Sequence, residues 1–197
     1  MPKVTEAHRE QMRKRIQDAA LACFARKGFS ATSMADIVAE SELSAGAIYG
    51  YYRGKDELTA DAARAMLQER IGAMLELAQG VEIPPPSEAV ARFLRSMPEV
   101  AKTGLALQVW GEAVQTDAIR SVAAAAVQEL TGQMAEYLRQ WFRRGRGLDD
   151  SAAEDRARLL APAVVGLCQG YIVRRSMAKD ESAESYFAAV AALLEGL

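Results

Sequence analysis

Few side chains in this chain are equipped for catalysis. Its 197 residues include one histidine, His8, and two cysteines, Cys23 and Cys168. One imidazole cannot build a multi-histidine metal site, and no serine lies near a histidine in an acyl-transfer arrangement. Two cysteines far apart in sequence make neither a thiolate zinc site nor a disulfide framework. The sequence also lacks a phosphate-cradling glycine loop and a helix-borne acid–histidine pair. An all-helical enzyme is therefore the disfavoured alternative, and no cofactor or metal is expected. The chemistry left open is recognition.

Residues 44–58 carry that chemistry, reading Ser-Ala-Gly-Ala-Ile-Tyr-Gly-Tyr-Tyr-Arg-Gly-Lys-Asp-Glu-Leu. At about 100° per residue, Ile48 and Tyr52 share an inward helix face, while Gly46, Tyr49 and Gly50 lie on the outward one. A helix that enters the major groove needs a slim outer face with phosphate ligands at its borders. Tyrosine hydroxyls and lysine ammonium groups are such ligands.

The elements that must position this segment are helical. Apolar residues recur at three- and four-residue spacing, and no stretch alternates with period two for long. Met12, Ile16, Ala20 and Phe24 stripe a first helix over about 7–27, and Gly28 stands where a left-handed cap belongs. Ser33 with Asp36 three residues on is a capping box for a short second helix ending near Ser41. Ser44 caps a third. Two short helices joined by about three residues describe a helix-turn-helix. A long helix is predicted over 56–79. Ile83 to Ser87, with three prolines, reads as a stiff non-helical connector capped by Ser87. Helices are then predicted over 88–100, 105–115, 118–144, 150–177 and 181–195. Asp117 starts the third of these, and Gly145 with Gly147 ends it. That makes nine helices.

Half of the residues are hydrophobic, a quarter are charged and the mean hydropathy is −0.07, a soluble globular composition. No run is long and apolar enough for a membrane span, and residues 1–5 predict no secretory leader. The net charge of −2 gives no hint of nucleic acid, but it averages two unlike parts. Residues 1–55 hold nine Lys/Arg against six Asp/Glu, and residues 56–197 hold fifteen against twenty. The basic excess coincides with the helix-turn-helix.

Gly46, Tyr49, Tyr52, Lys55 and Leu58, with Phe24, Gly28, Phe29, Ser33 and Ile37 upstream, make residues 8–58 resemble the TetR family of bacterial transcriptional regulators. The resemblance implies an all-α, nine-helix fold. It divides the chain into a helix-turn-helix DNA-binding domain at 1–55 and a ligand-binding and dimerisation domain at 56–197. It further implies a cytoplasmic homodimeric repressor, released from a pseudo-palindromic duplex operator when a small, largely apolar effector binds. The helix that follows Lys55 would be the lever between the two. Carried over by position, Ala45, Gly46, Ala47 and Gly50 approach bases, and Tyr49, Tyr51 and Lys55 hold phosphates. Ser33 would do so from the start of the second helix.

Two departures from the family pattern matter. None of Ala45, Gly46, Ala47 and Gly50 has a side-chain donor. Thymine methyls, backbone proximity and DNA shape would then carry the reading, with further contacts from Tyr49, Tyr51, Arg9 or Arg13. Glu42 also stands where the family usually has glycine, at a cost of about 1 kcal/mol if φ is positive there.

In the C-terminal part, residues 159–172 are apolar around much of a helix. With the stripe of Phe187, Val190, Ala191 and Leu194, they suggest a homodimer through the last two helices, about 150–177 and 181–195. Gly166 and Gly170 would permit close approach; a purely intramolecular core is the alternative, and the resemblance favours the dimer. Effector-pocket candidates are Met66, Met74, Phe93, Met97, Leu107, Trp110, Met134, Tyr137, Leu138, Trp141 and Tyr171, with Gln108, Glu112 and Gln169 as polar anchors. Each alone is also what a plain core requires. Arg143, Arg144 and Arg146 suit a helix C-terminus facing water, and the cysteines suit packing. A regulator answering to a protein partner, with no small ligand, is the second alternative.

Overall fold

The structure, a computed structural model, describes residues 5–65, 83–96, 100–178 and 182–196. Nine helices and no strand occur among the described residues. They are α1 (Glu6–Lys27), α2 (Met34–Ser41), α3 (Ala45–Tyr49), α4 (described over 55–65), α5 (Pro86–Arg95), α6 (Val100–Gln115), α7 (Asp117–Arg146), α8 (Asp150–Met177) and α9 (Ala183–Leu194). The expected continuation of α4 to residue 79 lies outside the described residues. None of the described helices is long and apolar enough to cross a membrane.

The chain divides into two compact units, Met1–Met66 with Gly104–Ala123, and Leu67–Thr103 with Ala124–Leu197. The first has a core of Ile16, Ala20, Cys23 and Phe24 from α1, Ile37 from α2, Ile48 from α3, Tyr52, Leu58 and Ala63, together with Leu105, Val109, Ala113 and Ile119. Thr5 caps α1 by accepting from the His8 N–H, and Gly28 ends it at φ 81°, ψ 161°. That conformation is extended rather than left-handed helical, and glycine alone enters it without strain.

In the second unit, α5 packs against α9, with Val90, Phe93 and Leu94 in one apolar cluster with Phe187, Val190 and Leu194. The cluster continues through Met134, Tyr137, Leu138, Trp141 and Phe142 of α7 and Ala161, Val164, Cys168 and Tyr171 of α8. Asp149 caps α8 through the Ala152 N–H at 2.9 Å.

Four predicted boundaries move most. Helix α5 begins at Pro86, inside the expected connector, because a proline at the first helical position lacks only an N–H that would be unpaired anyway. It also ends at Arg95, short of 100, and α6 begins five residues before the predicted 105. Helix α7 runs through Gly145 and stops before Gly147, whose φ of 67° breaks the repeat.

Candidate DNA-binding surface

Helix α3 has five residues, too few to hold itself together, so its placement depends on its ends and its neighbours. At its start the Ser44 hydroxyl accepts from the Ala47 N–H at 3.2 Å. Ile48 is fully buried and Tyr52 nearly so, which seats one face on the core of the first unit. Ala45, Gly46, Ala47, Tyr49 and Gly50 are left exposed on the other. A Cβ added at Gly46 would meet nothing within 4 Å, so this part of the surface is open. The exposed face is narrow and apolar apart from the Tyr49 hydroxyl. Tyr51 is half-buried against the core.

Polar staples hold the short helix from behind. The Tyr52 hydroxyl donates to Asp61 Oδ2 at 2.8 Å, and the buried Gln17 amide donates to the same oxygen at 2.9 Å. Asp61 of α4 thus ties the end of the α3 segment to α1. Burial, with the neighbouring Asp61 carboxylate, pushes the Tyr52 phenol above its ordinary pKa. Lys55 donates through Nζ to the carbonyls of Phe29 (3.1 Å) and Thr32 (3.0 Å) and lies 4.4 Å from the Phe29 ring centroid. Two of its three N–H groups therefore bind the turn between α1 and α2, leaving one for a phosphate.

Ser33 sits at the exposed start of α2, in the capping box read from the sequence. Its N–H and hydroxyl donate to Asp36 Oδ2 at 2.9 and 2.8 Å, while Lys27 reaches Asp36 Oδ1 at 2.5 Å. The Lys27 bond, followed by those from Ser33, holds the Asp36 carboxyl well below the usual carboxylate range. A phosphate at Ser33 would have to draw the hydroxyl away from Asp36.

The local positive charge is partly consumed. Arg26 pairs with Glu40 at 2.6 Å and Arg13 approaches Asp61 at 4.0 Å. Arg9, Lys14 and Arg53 are exposed and make no ion pair among the described residues. They are the cations best able to meet phosphate from this unit.

The effector-pocket candidates fall in both units. Phe93, Met134, Tyr137, Leu138, Trp141 and Tyr171 join the core of the second. Gln108, Trp110 and Glu112 lie on the part of α6 that belongs to the first. There Gln108 Oε1 accepts from the Phe29 N–H at 3.0 Å and Glu112 Oε1 from the Ser30 hydroxyl at 2.9 Å. Met66, Met74 and Met97 lie outside the described residues. Burial pushes the Cys168 thiol up to about 12 and raises Cys23 as well, so neither thiol is poised to react.

Sequence reasoning missed Asp61, Gln17 and the α6 contacts to the α1–α2 turn. A partial signal existed. Gln17 adjoins the apolar stripe of α1 and Tyr52 points inward, and buried polar groups require partners.

A family model described as bacterial regulatory proteins, tetR family, matches residues 16–62. The HTH-type transcriptional regulator YfiR of Bacillus subtilis (strain 168) is 42% identical over 57 residues, which are 29% of this chain and 28% of that protein. Among solved structures, a TetR-family transcriptional regulator from Rhodococcus sp. aligns with TM-score 0.76 and 17% identity, covering 95% of this chain and 98% of that one. A transcriptional regulator from Saccharomonospora viridis, solved in complex with choline, aligns with TM-score 0.71 and 21% identity over 94% and 96%. These structural likenesses are of fold. The family match covers α1 from Ile16, the whole helix-turn-helix and the start of α4, the elements that build the exposed α3 face. Residues 16–62 of this chain carry the pattern of the tetR family of bacterial regulatory proteins, and the whole chain shares its fold with solved transcriptional regulators.

Proposed function

We propose that this regulator is a cytoplasmic homodimeric repressor that leaves a pseudo-palindromic operator when a small, largely apolar effector binds its C-terminal part. The observation that carries the reading is the exposed face of Ala45, Gly46, Ala47, Tyr49 and Gly50, presented by a capped and stapled helix. Such a face lets the backbone approach a groove closely, and it favours thymine methyls and DNA shape over bidentate base contacts. Tyr49, Tyr51, Lys55 and Ser33 hold phosphates at its margins, joined by Arg9 and Arg53.

An apolar face of the second unit supports dimerisation through α8 and α9. Leu159 is 77% exposed, Met177 80% and Leu193 65%, and Pro162, Ala163, Gly166, Ala188, Ala189 and Ala192 are exposed between them. Gly166 has open space about it, whereas a Cβ on Gly170 would come within 3.0 Å of the Tyr186 hydroxyl. Close approach of a second copy therefore falls to Gly166. Two copies joined there carry two α3 helices, suited to half-sites about one turn, roughly 34 Å, apart.

The roles divide at 1–55 for DNA and 56–197 for effector and dimer, although 104–123 packs with the first unit. A protein of this fold holds choline, so a small-molecule effector is in keeping with the fold. Selection of duplexes from a random pool tests the reading. The expected winners are inverted repeats rich in A·T steps, with binding that falls steeply with salt. Winners without two-fold symmetry would remove the dimeric reading. Guanine-dominated sites that tolerate every α3 substitution would remove the proposed mode of recognition.

A further inference from the structure

The turn between α2 and α3 holds the one non-glycine residue at positive φ among the described residues, Glu42 at φ 55°, ψ 26°. An L-residue here pays for the close approach of its Cβ to the backbone, a conformation glycine adopts freely. Ser41, just before it, is 3% exposed and donates through its hydroxyl to the Val38 carbonyl at 3.1 Å. The same hydroxyl accepts from the Leu43 N–H at 3.3 Å. The Ser41 carbonyl is one of the last of α2, where no intrahelical donor remains. Arg15, from the middle of α1, supplies the donor: its Nε reaches the Ser41 carbonyl at 2.9 Å, and its Nη2 lies 3.5 Å from Glu42 Oε2. One guanidinium thus grips both the end of α2 and the strained residue that follows it, and Ser44, the cap of α3, is two residues further on.

We propose that Arg15 is a positioning residue for operator recognition, holding the Ser41–Glu42 turn and so setting the angle at which α3 is presented. The inference rests on the helix-turn-helix reading above, and it makes Arg15 the compensation for a non-glycine turn. Without the clamp the turn samples other conformations. Apparent affinity then falls in proportion to the competent fraction, while the phosphate contacts themselves are unchanged. A direct phosphate ligand would behave differently, because its loss lowers the salt slope by about 0.9 and weakens binding to every duplex.

The test uses full-length Arg15→Gln, Glu42→Gly and the double variant, with a duplex recovered from the random-pool selection and a scrambled duplex of equal length. Arg15→Gln should weaken the selected duplex about fivefold to tenfold, leave the scrambled duplex within about twofold, and keep the salt slope. Glu42→Gly alone should bind as the parent does. In the double variant, glycine at position 42 removes the strain and should return affinity to within about twofold of Glu42→Gly. In the DNA-free protein, hydrogen exchange at the Leu43, Ala47 and Ile48 amides should quicken in Arg15→Gln and recover in the double variant. Equal losses on both duplexes with a lower slope would make Arg15 a phosphate ligand and overturn the proposal. So would unchanged exchange in Arg15→Gln, or a double variant no better than Arg15→Gln. If the parent bound no duplex while the exchange pattern held, the DNA reading would fail and the clamp would stand only as a turn-stabilising device.

Discussion

Helices α3 and α8 solve opposite problems. Helix α8 runs for 28 residues and buries seven of them, from Ala153 to Tyr171, in a continuous apolar cluster. Helix α3 has five residues and buries one, Ile48. The long helix is placed by packing, where many small contacts share the cost of any single change. The short one is placed by discrete polar bonds that arrive from distant parts of the chain: Lys55 on the α1–α2 turn and Asp61 on Tyr52 and Gln17. A surface that must stay slim and open cannot bury itself, so its geometry is borrowed from the bonds behind it.

That contrast predicts a graded series. Phe142→Ala should be the most damaging. The ring is fully buried in the second core and packs edge-on against Trp141 at 5.1 Å, and its loss should cost about 3–5 kcal/mol in chemical denaturation. Next comes Lys55→Met, which keeps an apolar stem over Phe29 but strips a donor from two carbonyls. A loss of about 1–3 kcal/mol is expected, with hydrogen exchange rising first around Thr32. If Lys55→Met left the first unit as stable as before, polar stapling would not be what places α3. Tyr52→Phe removes one donor from a carboxylate that keeps Gln17. It should cost about 1–2 kcal/mol and weaken DNA binding by more than Phe142→Ala does in protein that remains folded.

The same contrast explains what could be read in advance. Helix α8 is legible to the residue because its signals are local: Asp149 as cap, an apolar repeat, and arginines in the last turn. The capping box of Ser33 and Asp36 is equally local, as is the inward pairing of Ile48 and Tyr52. The start of α5 is misread because three consecutive prolines look like a break, although the last of them is tolerated at a helix start. The staples are invisible for another reason. Lys55 lies 26 residues from Phe29, Gln17 lies 44 from Asp61, and Gln108 lies 79 from Phe29. A polar pair that far apart leaves no periodicity, and a residue such as Gln17 beside an apolar stripe signals that it needs a partner without saying which. Gln108 and Glu112, expected as pocket anchors, accept from the Phe29 N–H and the Ser30 hydroxyl of the α1–α2 turn, contacts that no local pattern announces.

Acid should act on the two regions through different carboxylates. Asp36, beside Lys27 and the Ser33 donors, is depressed in the first unit. Glu136, bonded first by Arg139, is depressed in the second. Each folded pKa lies below its unfolded value, so the stabilisation is fully present above the ordinary carboxylate pKa. It is lost as pH falls from there through the depressed folded value. Asp36→Asn should flatten the acid limb of the melting profile, and hydrogen exchange should assign the change to α2. Flattening at α7 instead would mean that the staple at the start of α2 contributes little.

The mildest expected change in stability comes from Gly46→Ala, and it separates the two roles of α3 most cleanly. An added Cβ meets nothing within 4 Å, and alanine in place of glycine favours the helix by up to about 1 kcal/mol. Thermal stability should therefore hold or rise slightly. The methyl group would nevertheless stand on the face that must approach the groove, where the backbone is bare. Operator affinity should fall about tenfold while the salt slope stays as it was, because no phosphate ligand has been removed. Affinity unchanged by the methyl would mean that Gly46 does not come close to the bases. The slim face of α3 would then reflect only how little a five-residue helix can bury.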